Sequence, residues 1–116
     1  MGHLKTAFQN CNQLQFLDLN TMRASTSWIM PELKSLSTLD LTNTKMINFT
    51  SLTSQPMLRS LVLDGNNFKT VNFSTFPQMP RLEILSMRNC RIVSIVSNLG
   101  VWNLMALRLT AIDLRY

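Results

Sequence analysis

A six-residue spacing, L-x-x-L-x-L, recurs along this 116-residue chain and constrains its fold more than any other feature. It stands at Leu14, Leu17, Leu19, at Leu36, Leu39, Leu41, and at Leu58, Leu61, Leu63. A fourth copy, Leu82, Leu85, Met87, closes with methionine. The fifth is ambiguous, since Leu104, Leu107, Leu109 fit the spacing and so do Leu109, Ile112, Leu114. The second is preferred because its IDL matches the LDL that ends the first two copies. Copies then start near residues 14, 36, 58, 82 and 109, in steps of 22, 22, 24 and 27 residues. One such spacing in a leucine-rich chain means nothing. Five, at a period in the twenties, imply a stack of like units.

The spacing has a physical reading. Alternate residues of a strand point to opposite sides. In LRSLVLDGNNF, Leu61 and Leu63 are therefore expected to face inward, and Ser60, Val62 and Asp64 outward. The rest of each unit has to travel back behind the strand. No single unit buries its apolar side alone, so neighbours stack around a shared interior. Asn66 and Cys90 occupy the place where the chain turns away from the strand. An inward side chain there is expected to satisfy backbone groups of the neighbouring unit that burial would leave unpaired.

These residues resemble the leucine-rich repeat family, over roughly residues 14 to 116, whose consensus is L-x-x-L-x-L-x-x-N/C-x-L. LRSLVLDGNNF supplies every fixed position, and LEILSMRNCRI supplies Cys90 with Met87 in a leucine place. LSTLDLTNTKM departs at Thr44 and Met46, and LQFLDLNTMRA departs at Met22 and Ala24. The resemblance implies an α/β solenoid: a right-handed coil with a short-stranded parallel sheet on its concave face, in one array across residues 1–116. Val71, Phe76 and Met79 are similar to the back-side pattern of extracellular animal repeats. Phe49 and Leu52 would serve there one unit earlier, and Trp28, Ile29 and Leu33 in the first. The irregular unit lengths are similar to those of Toll-like receptor ectodomains. Secreted members of the family usually carry cysteine-rich caps, and the cysteines here are only Cys11 and Cys90. The array is therefore expected to be uncapped, an internal slice of a longer protein.

Composition narrows the function classes. Hydrophobic content of 46% with 15% charge fits a folded chain and is too apolar for a disordered one. The net charge of +5 comes from Lys and Arg scattered singly, so solvated surface is expected in preference to a nucleic-acid interface. No stretch has the length and apolarity of a membrane helix, and MGHLKTAFQN lacks the apolar core of a signal peptide.

No catalytic constellation stands out. His3 is the sole histidine, and the glycines are Gly2, Gly65 and Gly100, so neither a zinc cage nor a phosphate-cradling loop is expected. Asp18, Asp40 and Asp113 fall in one outward column, but Val62 and Ser86 interrupt it, which favours solvated carboxylates over a chelating site. Cys11 and Cys90 belong to the first and fourth units, roughly 14 Å apart at about 4.8 Å per strand. A disulfide needs Cα atoms within about 7 Å, so both are expected to pack as free thiols. No cofactor and no metal is expected, and the chain is read as a non-enzyme.

What remains is the outward face of the strands. Its candidate ligand-binding residues are Phe16, Asp18, Asn20, Asp40, Thr42, Val62, Asp64, Ile84, Ser86, Arg88, Asp113 and Arg115. Phe and Arg are among the residue types that anchor interfaces. The expected function is recognition of a protein ligand or co-receptor by part of a receptor or adhesion ectodomain, at the cell surface or outside the cell. The alternatives are a cytoplasmic repeat scaffold or adaptor, and the ectodomain of a receptor kinase. Asn48 in NFT and Asn72 in NFS are N-glycosylation sequons. Two are no more than chance allows in a chain this rich in Asn, Ser and Thr. Both lie just past the strand turn, where a glycan could reach solvent.

Overall fold

Three-residue strands carry the architecture, and the five of them between residues 16 and 86 each set one buried residue between two more exposed ones. The computed structural model describes residue 8 and residues 10–20, 28–96 and 111–113. The strands are β1 (Phe16–Asp18), β2 (Thr38–Asp40), β3 (Ser60–Val62), β4 (Thr70–Asn72), β5 (Ile84–Ser86), β6 (Ser94–Val96) and β7 (Ala111–Asp113). A single turn of 3-10 helix, Phe73–Thr75, is the helical element among the described residues.

Five strands form one parallel sheet in the order β1-β2-β3-β5-β7. Parallel neighbours need long crossover connections, and the segments between the leucine spacings supply them. The register places like positions side by side: Leu17 beside Leu39, Leu39 beside Leu61, and Leu61 beside Leu85. At the last pair Leu85 stands beside Ile112 and Ser86 beside Asp113. That register sets Ile112 in line with Leu39, Leu61 and Leu85 along the sheet. Hydrogen bonding continues past the strands, with Leu41 N donating to Val62 O at 2.8 Å and Leu63 N to Ser86 O at 2.8 Å.

Because the side chains alternate, one side of the sheet is apolar across β1, β2, β3 and β5. Leu36, Leu39, Leu41, Leu58, Leu61, Leu63, Leu82, Leu85 and Met87 are all buried. Each buried leucine contributes roughly 1.5–3 kcal/mol relative to exposure, so the aligned columns are the main source of cohesion between units.

The return segments close the core from behind. Trp28, Leu33, Phe49, Leu52, Val71, Phe76 and Met79 are buried, as expected. Ile29 is not: it is 57% exposed, because the alternation of this extended stretch turns Trp28 and Met30 inward instead. Phe49 is the hub of a ring cluster, 5.2 Å from Phe68, 6.0 Å from Phe73 and 4.9 Å from Phe76 between centroids.

Two features of the return side were not foreseen. β4 and β6 form a second, two-stranded parallel sheet, tied at the side chains by Thr70 Oγ1 and Ser94 Oγ, 3.0 Å apart. Gln55 is fully buried, accepting from Leu33 N at 3.0 Å and donating to Pro31 O at 2.8 Å. A side chain of one unit thus completes the backbone of the unit before it.

Candidate functional site

The turns that follow the strands fix the shape of the open face. Asn43, Gly65 and Asn89 hold equivalent places after β2, β3 and β5, and all are left-handed, with φ of 55°, 72° and 55°. Glycine and asparagine tolerate that region best, so these residues let each chain leave its strand at the same angle. At Gly65 a Cβ would sit 1.9 Å from Asn43 Oδ1, so the Asn43 side chain lies directly on the bare glycine.

Beneath these turns, Asn66 is buried at 2% exposure and joins two units. Its Oδ1 accepts from Thr44 N at 3.0 Å and Met46 N at 2.9 Å. Its Nδ2 donates to Leu41 O at 3.0 Å and Leu63 O at 2.8 Å. Thr44, at the place in its unit that Asn66 holds in the next, is itself buried and donates Oγ1–H to Leu41 O at 2.9 Å. Cys90 does the corresponding job one unit later, its Sγ donating to Leu63 O at 3.1 Å. Burial raises the Cys90 thiol pKa, with Asp64 adding to the rise and the backbone N–H groups of Asn66 and Gly65 opposing it. The thiol is therefore a neutral packing group. Cys11 and Cys90 are both free.

On the open side, the register arranges two columns. One runs Phe16, Thr38, Ser60, Ile84, and the other runs Asp18, Asp40, Val62, Ser86, with the backbone of Ala111 and Asp113 next in register. Phe16 is 61% exposed and Ile84 43% exposed, which makes them the apolar anchors of the first column. Val62, on the strand next to Ile84, is half-buried.

Asp18, Asp40 and Asp64 on this face are engaged with backbone. Asp18 Oδ1 accepts from Asn20 N at 2.8 Å. Asp40 Oδ1 accepts from Thr42 N at 2.9 Å and Thr42 Oγ1 at 2.6 Å. Asp64 Oδ1 reaches across to the next unit, accepting from Ser86 Oγ at 2.6 Å and Arg88 N at 2.8 Å. Each carboxylate therefore rigidifies a turn. Among the described residues no cluster of three or more His, Cys, Asp or Glu could hold a metal ion.

The structure thus brings Phe16, Asp18, Asn20, Asp40, Thr42, Val62, Asp64, Ile84, Ser86 and Arg88 to one side of one sheet and its following turns. Asp113 belongs to β7 by backbone register, and Arg115 lies outside the described residues. The sequons are ordered in a common way. Asn48 is exposed, and its Oδ1 accepts from Thr50 N at 3.1 Å and Thr50 Oγ1 at 2.6 Å. Asn72, half-buried at the end of β4, accepts from Ser74 N at 3.1 Å and Ser74 Oγ at 2.5 Å.

The left-handed turns were missed from sequence, although Asn or Gly two residues after the last leucine of three copies was a usable signal. Among the described residues no helix is long and apolar enough to cross a membrane. Compared with known proteins, the chain matches no family model, no curated relative and no solved structure.

Proposed function

We propose that the chain is a non-enzymatic recognition module: a leucine-rich repeat solenoid whose concave sheet face binds a protein ligand or co-receptor, within a receptor or adhesion ectodomain. The observation that supports this best is the pairing of an aligned, fully buried leucine column with a rigid opposite face that leaves Phe16 and Ile84 exposed. Large apolar side chains held rigidly at the surface lose little entropy on binding, and they anchor interfaces in company with satisfied polar neighbours. Asp18, Asp40 and Asp64 then act by holding turn geometry, and Arg88 supplies the charged anchor.

The test is binding to a panel of cell-surface proteins, followed by substitution. Phe16→Ala and Ile84→Ala are expected to weaken any selected partner by about tenfold or more, the scale of a hot-spot truncation. Ile29→Ala, equally exposed but on the return side, is expected to leave affinity within about twofold. Equal losses from both sets would refute the assignment to the sheet face. Placement outside the cell predicts glycans on Asn48 and Asn72. A mass unchanged by glycosidase after expression through the secretory pathway would favour an intracellular scaffold instead.

A further inference from the structure

Three of the cations scattered through the sequence are brought to one edge by the fold. Lys45, Lys69 and Arg91 lie one per unit on the chain segments that leave β2, β3 and β5. Asn67 N bonds to Met46 O at 3.0 Å, Phe68 N to Cys90 O at 3.1 Å, and Val93 N to Lys69 O at 2.7 Å. These bonds set Lys45 and Arg91 on either side of Asn67, with Lys69 two residues farther along the middle unit. At about 4.8 Å per neighbouring chain, Lys45 and Arg91 have backbones about 10 Å apart. That matches the screening length of about 10 Å at 0.1 M salt and exceeds the roughly 8 Å at physiological salt, so the fields of these cations overlap in part, and more as salt falls.

Three further observations bear on this edge. Residues 43–50, 65–72 and 89–94 contain no Asp or Glu, so nothing acidic on these segments offsets the cations. All three cations are left-handed, with φ of 63° at Lys45, 56° at Lys69 and 52° at Arg91. Glycine or asparagine would occupy such positions with less strain. An open trough of about 670 Å³ lies against Arg91, lined also by Asn43, Gly65, Asn89 and Val93.

We propose that this edge is a second binding surface, separate from the open sheet face, and that it takes a sulfated polysaccharide. Cations spaced one per unit match a chain that carries repeated sulfates. The exposed carboxamides of Asn43, Asn67 and Asn89 can exchange hydrogen bonds with sugar hydroxyls. The exposed apolar side chains along the edge, Ile47 and Val93, are aliphatic. The edge therefore offers no ring among the described residues on which a nucleic-acid base would stack.

The test is surface plasmon resonance on immobilised heparin with the full chain. Lys45→Asn, Lys69→Asn and Arg91→Asn together remove three charges while placing a residue suited to left-handed backbone. Loss of counterion release should weaken binding at about 0.1 M salt by about tenfold or more and flatten its salt dependence. Lys34→Gln, Arg59→Gln and Arg81→Gln remove the same charge from exposed positions elsewhere and are expected to cost less than about threefold. The charge-preserving set Lys45→Arg, Lys69→Arg and Arg91→Lys should retain binding. Equal losses in the two neutralised sets, or no binding by the unaltered chain, would overturn the proposal. So would polyadenylate RNA competing as well as heparin at equal charge concentration, which would reassign the edge to nucleic acid.

Discussion

Replacing Asn66 by alanine is the sharpest test of how the units are joined. The substitution removes the acceptor of Thr44 N and Met46 N, both provided by Asn66 Oδ1. The two carbonyls on the other side of the amide are less exposed to the loss. Leu41 O still accepts from Thr44 Oγ1 at 2.9 Å, and Leu63 O from Cys90 Sγ at 3.1 Å. The cost therefore falls on two buried donors. At about 1–3 kcal/mol for each unsatisfied group, and with partial relaxation, the sum is about 3 kcal/mol. A domain has only about 5–15 kcal/mol of stability in total, so this is a large fraction. With a urea dependence of about 1–3 kcal/mol per molar, the unfolding midpoint should fall by about 1–3 M at unchanged slope. Asn67→Ala is the matched control. Its side chain is exposed, and the change should stay within about 0.5 kcal/mol. If the two variants unfold at the same urea concentration, Asn66 does not hold adjacent units together and the reasoning fails.

Three other perturbations probe separate parts of the structure. Gly65→Ala places a Cβ 1.9 Å from Asn43 Oδ1 in a left-handed residue with φ of 72°. It should cost about 1–2 kcal/mol from backbone strain alone, and more from the contact. In an Asn43→Gly background the contact part should vanish from the double-mutant cycle, whereas additivity would show that the Asn43 side chain simply moves aside. The thiol of Cys90 has its pKa raised above the ordinary value of 9.0 by burial. The unfolded chain therefore ionises first, and the stability tied to this group is present below pH 9 and lost as pH rises through the folded-state value. Urea midpoints measured from pH 8 to 10, about the 9.0 reference, should fall less steeply in Cys90→Ala, and parallel slopes would refute the assignment. Phe49→Ala, which removes the ring that contacts Phe68, Phe73 and Phe76, should cost about 3–5 kcal/mol. A loss below about 1 kcal/mol in the same urea assay would mean the cluster closes over the gap.

How much of this was legible depends on which force fixed each residue. The sheet was readable because burial repeats at constant offsets. Leu39, Leu61 and Leu85 share a column, and the exposure of Phe16 and Ile84 follows from the same alternation. The role of Asn66 was readable because a buried amide at the exit of a strand has few other uses. The return side was less so. β4 and β6 are three residues long, too short for alternation to stand out. Gln55 is buried for hydrogen bonds that depend on where Leu33 and Pro31 come to lie. Ile29 and Met30 are interchangeable by hydrophobicity, and only the phase of the extended segment decides which one meets solvent. Charge was the other limit. Lys45, Lys69 and Arg91 look isolated at spacings of 24 and 22 residues, because a linear sequence hides what a stack brings together.

Three buried polar side chains join units by reaching back along the chain, whereas the half-buried Asp64 reaches forward to Ser86 and Arg88. Asn66 completes the chain around Thr44 and Met46, and Gln55 completes that around Leu33 and Pro31. Cys90 reaches back to Leu63. In each case the earlier segment acquires its partner from one made later. During synthesis, a segment leaving the ribosome keeps unpaired groups until some 20 to 27 further residues have followed, the sequence separations of these bonds. Native structure should therefore settle from the N-terminal side toward the C-terminal side, always one turn of the chain behind the newest residue.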